Sequence, residues 1–186
     1  ITGPVSISDP ANVTTVHVET AADMLHAATH QATQADIIVC AAAVSDWTVQ
    51  DTQNHKIKKR AGGDAPTITL EETPDILATL AQHKNRAALV IGFAAETENL
   101  VPYAQSKLLK KGCDWIVANE VGKTAFPVFG ADHNHVTLIT RTTIDEWPTL
   151  TKQGVAERLV SNIVSFFEKG HTQHDTDTRK ICTAGE

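Results

Sequence analysis

Residues 36–44, DIIVCAAAV, form an almost unbroken apolar run, and this run decides the fold class. Such a run is typical of a parallel strand that is covered on both faces, because a strand with one wet face alternates between apolar and polar residues. Two further stretches have the same character, AALVIGFAA at 87–95 and DWIVANE at 114–120. The three stretches together predict strands of one buried sheet.

Segments with helical spacing lie between these predicted strands. Thr20 has the character of an N-cap, with Asp23 three residues on, so residues 21–35 are predicted to form a helix. Residues 73–83 and 97–112 have helical patterns as well. This alternation of strands and helices predicts an α/β fold with a doubly wound, mostly parallel sheet and flanking helices.

Shorter patterns complete the predicted order of elements. Residues 14–19 and 67–72 are predicted as strands, and residues 135–140 as an edge strand. Residues 151–169 are predicted as a closing amphipathic helix, because apolar side chains recur on one face. That stripe consists of Val155, Leu159, Ile163 and Phe166. Residues 169–186 lack apolar periodicity and are predicted to form a flexible tail.

The opening residues 1–10, ITGPVSISDP, have the character of a strand end followed by a loop. A doubly wound domain normally begins with a strand and a glycine-rich turn, but the sequence holds no GxGxxG motif and no Walker-type loop. The sequence therefore predicts a doubly wound domain whose first βα unit is missing.

Composition excludes several classes of protein. The chain has 186 residues with 41% hydrophobic content, which suffices for one domain with a core. A net charge of −6 argues against a general nucleic-acid surface. No apolar run approaches membrane-spanning length, and no leader segment is evident, so no membrane partner is predicted. Cys40, Cys113 and Cys182 lack metal-ligand spacing and fit free thiols in a reducing cytoplasm.

A cationic cluster stands out against this acidic background. Residues 52–67 read TQNHKIKKRAGGDAPT, with four cations at Lys56, Lys58, Lys59 and Arg60. One interpretation is a solvated loop whose charge aids solubility. The other is a mobile lid that closes over phosphates, with Gly62 and Gly63 as its hinge.

A second group of cations and the predicted strand ends bear on this choice. Lys107 and Lys111 are four apart on a predicted helix and share a face, which favours either a solvated helix end or a phosphate site. Asp46 follows a predicted strand and either caps a turn or binds a ribose or a metal. Phe93 either belongs to the core or flanks a base, and residues 73–76 offer helix N–H groups to an anion or a base edge.

Six motifs in order resemble those of phosphopantothenate–cysteine ligases of the CTP-dependent bacterial type. They are AAAVSDW, KIKK, TPDIL, GFAAETEN, DWIVANEV and FGADHNHVTLI, and the resemblance covers residues 1–168 as an N-terminally incomplete ligase domain. It implies a Rossmann-like homodimer, commonly fused behind a flavin-dependent decarboxylase. It also implies a use of CTP and Mg²⁺ to join phosphopantothenate and cysteine through an acyl-cytidylate.

The resemblance also implies roles for particular residues. Lys56 and Lys59 match the first and last lysines of the lid and are the implied catalytic residues. The residues implied to bind the nucleotide, besides Lys56, come from five places in the chain. They are Cys40, Ala41, Ala42, Asp46, Pro74, Asp75, Ile76, Leu77, Phe93, Lys107 and Lys111.

One departure leaves another function open. The family carries a glycine-rich N-terminal segment with an asparagine that helps to process the acyl-cytidylate, and nothing in this sequence matches it. The alternative is therefore a non-catalytic nucleotide-binding or dimerisation module. A nicotinamide-dependent dehydrogenase is disfavoured, because the GxGxxG motif is missing.

Overall fold

The computed structural model of the protein describes residues 1–51, 55, 65, 67–121 and 133–182. Within these ranges the helices are α1 (Ala21–Ala32), α2 (Ile76–Ala81), α3 (Leu100–Lys111) and α4 (Lys152–Cys182). The strands are β1 (Ile37–Cys40), β2 (Trp47–Val49), β3 (Leu70–Glu72), β4 (Leu89–Glu96), β5 (Trp115–Glu120), β6 (His133–Asn134), β7 (Val136–Thr140), β8 (Ile144–Glu146) and β9 (Leu150–Thr151).

A five-stranded sheet in the order β1-β4-β5-β7-β8 forms the centre of the fold. Its first three strands are parallel, β7 is antiparallel to both of its neighbours, and four of the five strands therefore point the same way. The register places Gly92 between Cys40 and Ile116. Two small antiparallel ribbons, β2-β3 and β6-β9, stand apart from this sheet. The predicted α/β fold with a mostly parallel sheet is confirmed.

Helices cover both faces of the sheet. On one face, α2 and α3 pack with Leu77, Ala104 and Leu108 against apolar side chains of β4, β5 and β7. On the other face, α4 packs with Val155 and Leu159. Alternate side chains of β4 and β5 enter one core or the other, which explains why these strands are apolar along their length.

Local sequence signals set two of the helix ends as predicted. Thr20 caps α1 by accepting the Asp23 N–H at 3.1 Å, and the Asp23 carboxylate accepts the Thr20 N–H at 3.1 Å. This reciprocal pair satisfies two N–H groups that the helix itself cannot. At the C-terminus of α3, Gly112 ends the helix with a φ of 74°, a conformation that glycine adopts without steric cost.

Two predicted strands differ from the structure. Residues 14–19 do not form a strand, and instead His17 forms an isolated parallel bridge with Thr2. After Thr2 the chain continues into Gly3 and Pro4, and proline has no N–H to extend a ladder. The strand at 135–140 is not at the edge of the sheet, because β8 pairs with it from the outside. The three residues of β8 are too few to show a pattern in the sequence.

The apolar run at 36–44 is also less buried than predicted. Only four of its residues form β1, and this strand lies at an edge of the sheet. Ile37 is 37% exposed and Val39 is 45% exposed, so one face of β1 is not covered. An apolar run predicts which surface is available for burial, but the neighbouring elements decide whether that surface is buried.

The last helix extends beyond its predicted end. Its backbone is helical through Cys182, in the stretch predicted to be a flexible tail, and the flexibility of that stretch stays a prediction. Phe167, rather than Phe166, packs with Ile163 against the core. Phe166 instead meets the edge of Trp115, with ring centroids 5.6 Å apart. None of the helices in the described ranges has the length and apolar character needed to cross a membrane.

Candidate functional site

A cleft of about 830 Å³ borders the carboxyl end of β1. Eleven of the residues predicted to bind a nucleotide line this one cleft, although they come from five separate places in the sequence. They are Cys40, Ala41, Ala42, Asp46, Pro74, Asp75, Ile76, Leu77, Phe93, Lys107 and Lys111. The two predicted catalytic residues, Lys56 and Lys59, lie outside the described residues.

The floor of the cleft is the turn that follows β1. The Ser45 hydroxyl donates to the Trp47 carbonyl at 2.9 Å, and it accepts the Trp47 N–H at 3.3 Å. The Thr73 N–H donates to the Asp46 carbonyl at 2.9 Å. These bonds fix the backbone around Asp46, which lines the cleft. The binding of a ribose hydroxyl by Asp46 stays a prediction.

The short helix α2 forms one wall. Asp75 caps it, because a carboxylate oxygen accepts the Ala78 N–H at 3.0 Å. The Ala78 N–H lies just beyond residues 73–76, whose N–H groups the sequence offers to an anion, and in the structure the protein's own side chain occupies it. On the opposite side of α2, Leu77 packs into the core over Gly92. The wall is therefore held by a cap at its start and by a tight apolar contact beneath it.

Cations of α3 form the facing wall. Lys107 and Lys111 share a helix face, as their spacing predicts, and both line the cleft together with Lys110. Lys111 forms an ion pair with the Asp75 carboxylate, and its carbonyl accepts the Gln82 side-chain amide at 3.3 Å. In the described part of the chain, Lys107 and Lys110 form no ion pair. The cleft therefore has two lysines that form no ion pair with a described carboxylate.

The pKa values of Asp75 and Cys40, which both line the cleft, shift in opposite directions. Partial burial acts to raise the pKa of Asp75, but hydrogen bonds from Lys111 and from the Ala78 N–H, with the charges of Lys111 and Lys107, hold that pKa below its ordinary value. Burial, and then the charge of Asp75, raise the pKa of the Cys40 thiol. Cys40 is therefore a neutral wall of the cleft and not an activated nucleophile.

Several lining residues were not singled out in the sequence. Met24, Ala28 and Gln31 line the cleft from α1, at the i, i+4, i+7 spacing of one helical face. That spacing is a signal that the sequence contains. Leu80 carries no such signal, because only the packing of α2 against the sheet brings it to the cleft.

Metal ligands were left undetermined by the sequence. Within the described ranges, no group of three or more His, Cys, Asp or Glu side chains is placed to hold a metal ion.

Comparisons with known proteins place the chain in a family. Residues 1–167 match the family model described as DNA/pantothenate metabolism flavoprotein C-terminal domain. The coenzyme A biosynthesis bifunctional protein CoaBC of Haemophilus influenzae is 35% identical over 169 residues, which are 91% of this chain and 41% of that protein. The CoaBC protein of Bacillus subtilis is 38% identical over 167 residues, which are 89% of this chain and 40% of that protein.

A solved structure extends the similarity to three dimensions. The crystal structure of the C-terminal domain of CoaBC matches with a TM-score of 0.71 and 36% identity, covering 90% of this chain and 72% of that one. The chain spans about two fifths of the length of the curated relatives named above. By the family match over residues 1–167 and these relatives, the chain belongs to the DNA/pantothenate metabolism flavoprotein C-terminal domain family.

Proposed function

We propose that this chain is a phosphopantothenate–cysteine ligase domain that uses CTP in coenzyme A biosynthesis. The observation that carries the proposal is the cleft itself, where an acidic chain brings Lys107 and Lys110 together with Asp46 and the turn 74–77. Such a cleft suits a nucleoside triphosphate, which has an anionic end, a ribose and a planar base. The names of the CoaBC relatives support a role in the same biosynthesis.

The chemistry proceeds in two steps. The carboxylate of 4'-phosphopantothenate attacks the α-phosphorus of CTP, and pyrophosphate leaves. The amine of cysteine then attacks the acyl carbon of the acyl-cytidylate, a proton is lost, and CMP leaves with the electrons of the broken C–O bond. The products are phosphopantothenoylcysteine, CMP and pyrophosphate.

Positioned cations are what this reaction needs from the protein. A carboxylate that approaches a triphosphate is repelled, and the departing pyrophosphate gains charge, so fixed positive charges lower the barrier of the first step. We assign the binding of the triphosphate to Lys107 and Lys110, because both line the cleft. We assign Lys56 and Lys59 to the reacting phosphate and the intermediate, on the strength of the KIKK motif. The neutral thiol of Cys40 agrees with a mechanism that needs no side-chain nucleophile.

We propose that Mg²⁺ enters with the nucleotide. Mg²⁺ keeps several waters and is commonly bound by substrate phosphates with one or two carboxylates, so it does not require an all-protein cage. We also propose that the protein is cytoplasmic, because Cys40 and Cys113 are free thiols and such thiols fit a reducing compartment.

The choice of CTP is tested by binding and turnover with a panel of nucleotides. The chain is mixed with phosphopantothenate, cysteine, Mg²⁺ and either CTP, ATP or UTP, and formation of phosphopantothenoylcysteine is followed together with thermal stabilisation by each nucleotide. Selective stabilisation by CTP with product formation is expected, because a ligand that binds only the folded state stabilises it. Selective stabilisation by CTP without product would favour the non-catalytic nucleotide-binding module instead.

Lys107→Met is expected to weaken CTP binding by about tenfold, because a charge-assisted contact to phosphate is lost while the aliphatic stem is kept. Isothermal titration calorimetry measures the dissociation constant. Lys84→Met is the matched control, since Lys84 is exposed and lies outside the cleft. Equal weakening in both variants would indicate a general charge effect and would contradict a specific site at Lys107.

We propose a homodimer that forms through the β2-β3 ribbon. All six ribbon residues are exposed, and they include Trp47, Val49 and Leu70 with exposed fractions of 54%, 39% and 53%. A two-stranded ribbon is marginally stable alone, and large apolar side chains on it are typical of a protein interface. A second copy of the chain would cover them. We likewise propose fusion behind a flavin-dependent decarboxylase, as the CoaBC names suggest.

Leu70→Lys is expected to raise the dissociation constant of the dimer by about tenfold or more, because a charge is placed in an apolar interface. Sedimentation velocity over a range of protein concentrations measures the constant. Leu109→Lys is the matched control, since Leu109 is 70% exposed on α3, away from the ribbon. A dimer that survives Leu70→Lys unchanged would place the interface elsewhere.

A further inference from the structure

We propose that Asp75 is a positioning residue that holds the Lys111 ammonium in place for the phosphates of the bound nucleotide. The inference rests on the proposed function and adds a residue that acts through another one. Its starting point is the ion pair between Lys111, at the end of α3, and Asp75, at the start of α2. Both side chains line the cleft.

Stability alone gives little reason for this pair. The two side chains keep 23% and 40% of their surface exposed, and ion pairs with such exposure add little to folding because water screens them. The contribution of the pair is then to orientation. A free lysine has a flexible stem, and ordering that stem on a ligand costs conformational entropy. A lysine that is already ordered avoids this cost and binds more tightly.

Asp75 is well suited to be a fixed anchor. One of its carboxylate oxygens accepts the Ala78 N–H at 3.0 Å, and its carbonyl accepts the Thr79 N–H at 2.9 Å and the Thr79 hydroxyl at 2.7 Å. The other carboxylate oxygen accepts from Lys111. The carboxylate is therefore held by the backbone of α2 before Lys111 meets it, and the geometry of the pair is set by the fold.

Lys111 is held through both its side chain and its backbone. Its ammonium donates to Asp75, the N-cap of α2, and its carbonyl accepts from the side-chain amide of Gln82, the C-cap of the same helix. An ammonium has three N–H donors, and the pair with Asp75 uses one of them. Two donors stay available to phosphate oxygens while the anchor is kept. Lys107 and Lys110 have no such anchor among the described residues.

The test is a double-mutant cycle with two probes, CTP and inorganic triphosphate. Asp75→Asn keeps the oxygen that caps α2 and removes the charge, and Lys111→Met removes the ammonium. We expect each single variant to weaken the binding of both probes by about fivefold, and we expect the double variant to be no weaker than Lys111→Met. We also expect the melting temperature of the ligand-free Asp75→Asn variant to stay close to that of the wild type, which a purely structural role would not allow.

Asp9→Asn is the matched control. It removes a carboxylate from the exposed pair with His17, which lies outside the cleft, and is expected to leave both dissociation constants unchanged. Multiplicative effects of the two cleft variants would overturn the proposal, as would tighter binding by Asp75→Asn, which would mean that Asp75 competes with phosphate. Triphosphate binding without preference for CTP would count against the proposed function alone, and binding of neither probe by the wild type would overturn both.

Discussion

Trp147→Ala is expected to lower the free energy of unfolding by about 3–5 kcal/mol, the usual cost of removing a large buried aromatic side chain. Trp147 is fully buried, in the core between the sheet and α4. Its ring nitrogen donates to the Asp145 carboxylate at 2.7 Å, and the Arg158 guanidinium lies 5.0 Å from its ring centroid. The variant therefore leaves a cavity, and it removes the group that donates to Asp145 and the ring that Arg158 covers. The neighbouring side chains have little freedom to fill the space.

Chemical denaturation followed by circular dichroism measures the loss. Tyr103→Ala is the matched control, because Tyr103 is also a large aromatic residue and is 46% exposed on α3, so its removal is expected to cost less than about 1 kcal/mol. Trp147 lies on the face of the sheet opposite to α2 and α3. The folded fraction of Trp147→Ala is thus expected to keep its affinity for CTP. Similar losses of stability in the two variants would contradict the burial on which this expectation rests.

Gly92→Ala is expected to affect both stability and the cleft. A Cβ atom at this position would lie 2.4 Å from Leu77 Cδ2 and 2.9 Å from Ile116 Cδ1, and both distances are shorter than atoms tolerate. Overpacking of this kind costs about 1–3 kcal/mol, which exceeds the gain of about 0.5–1 kcal/mol from replacing a glycine in a strand. The side chains of Leu77 and Ile116 must shift to relieve these contacts, and Leu77 also lines the cleft. We expect CTP binding to weaken by about tenfold as a result.

Two further variants separate this effect from the substitution itself. Gly3→Ala is the matched control, since nothing lies within 4 Å of the added Cβ, and both stability and binding are expected to stay unchanged. Leu77→Ala in the Gly92→Ala background removes the side chain that is displaced. The stability loss of this double variant is expected to be smaller than the sum of the single losses, because the two sites share one space. A strictly additive result would show that Gly92 and Leu77 do not compete for it.

Local signals made several elements predictable. The Thr20 and Asp23 pair marks the start of α1, and Gly112 marks the end of α3, because each feature depends only on residues a few positions away. The strands β4 and β5 were predictable because both of their faces are buried and most of their residues are therefore apolar. Pairing partners are distant in sequence, and this is why the bridge at His17 and the position of β7 were not predicted.

In the candidate site, too, some features were predictable from the sequence and others depended on contacts between distant residues. Its residues were identified by a resemblance in the order and spacing of motifs, and physical reasoning on the residues alone left both solvated and ligand-binding roles open. The convergence of eleven of them on one cleft is a property of the sheet order, which places β1 beside β4 and packs α2 over Gly92. Lys110, Met24 and Gln31 were overlooked because exposed or amphipathic helical positions have no distinguishing composition.

The sequence by itself determined the fold class, the helix caps and the presence of two lysine clusters. Periodicity, capping and charge are local properties of the chain. Only the tertiary structure decided that β1 lies at an edge with Ile37 and Val39 partly exposed, and that Asp75 meets Lys111 across 36 positions of sequence. Contacts between distant residues depend on how the sheet orders its strands and how the helices pack upon it. That order results from the burial of the whole core, which no single stretch of the chain contains.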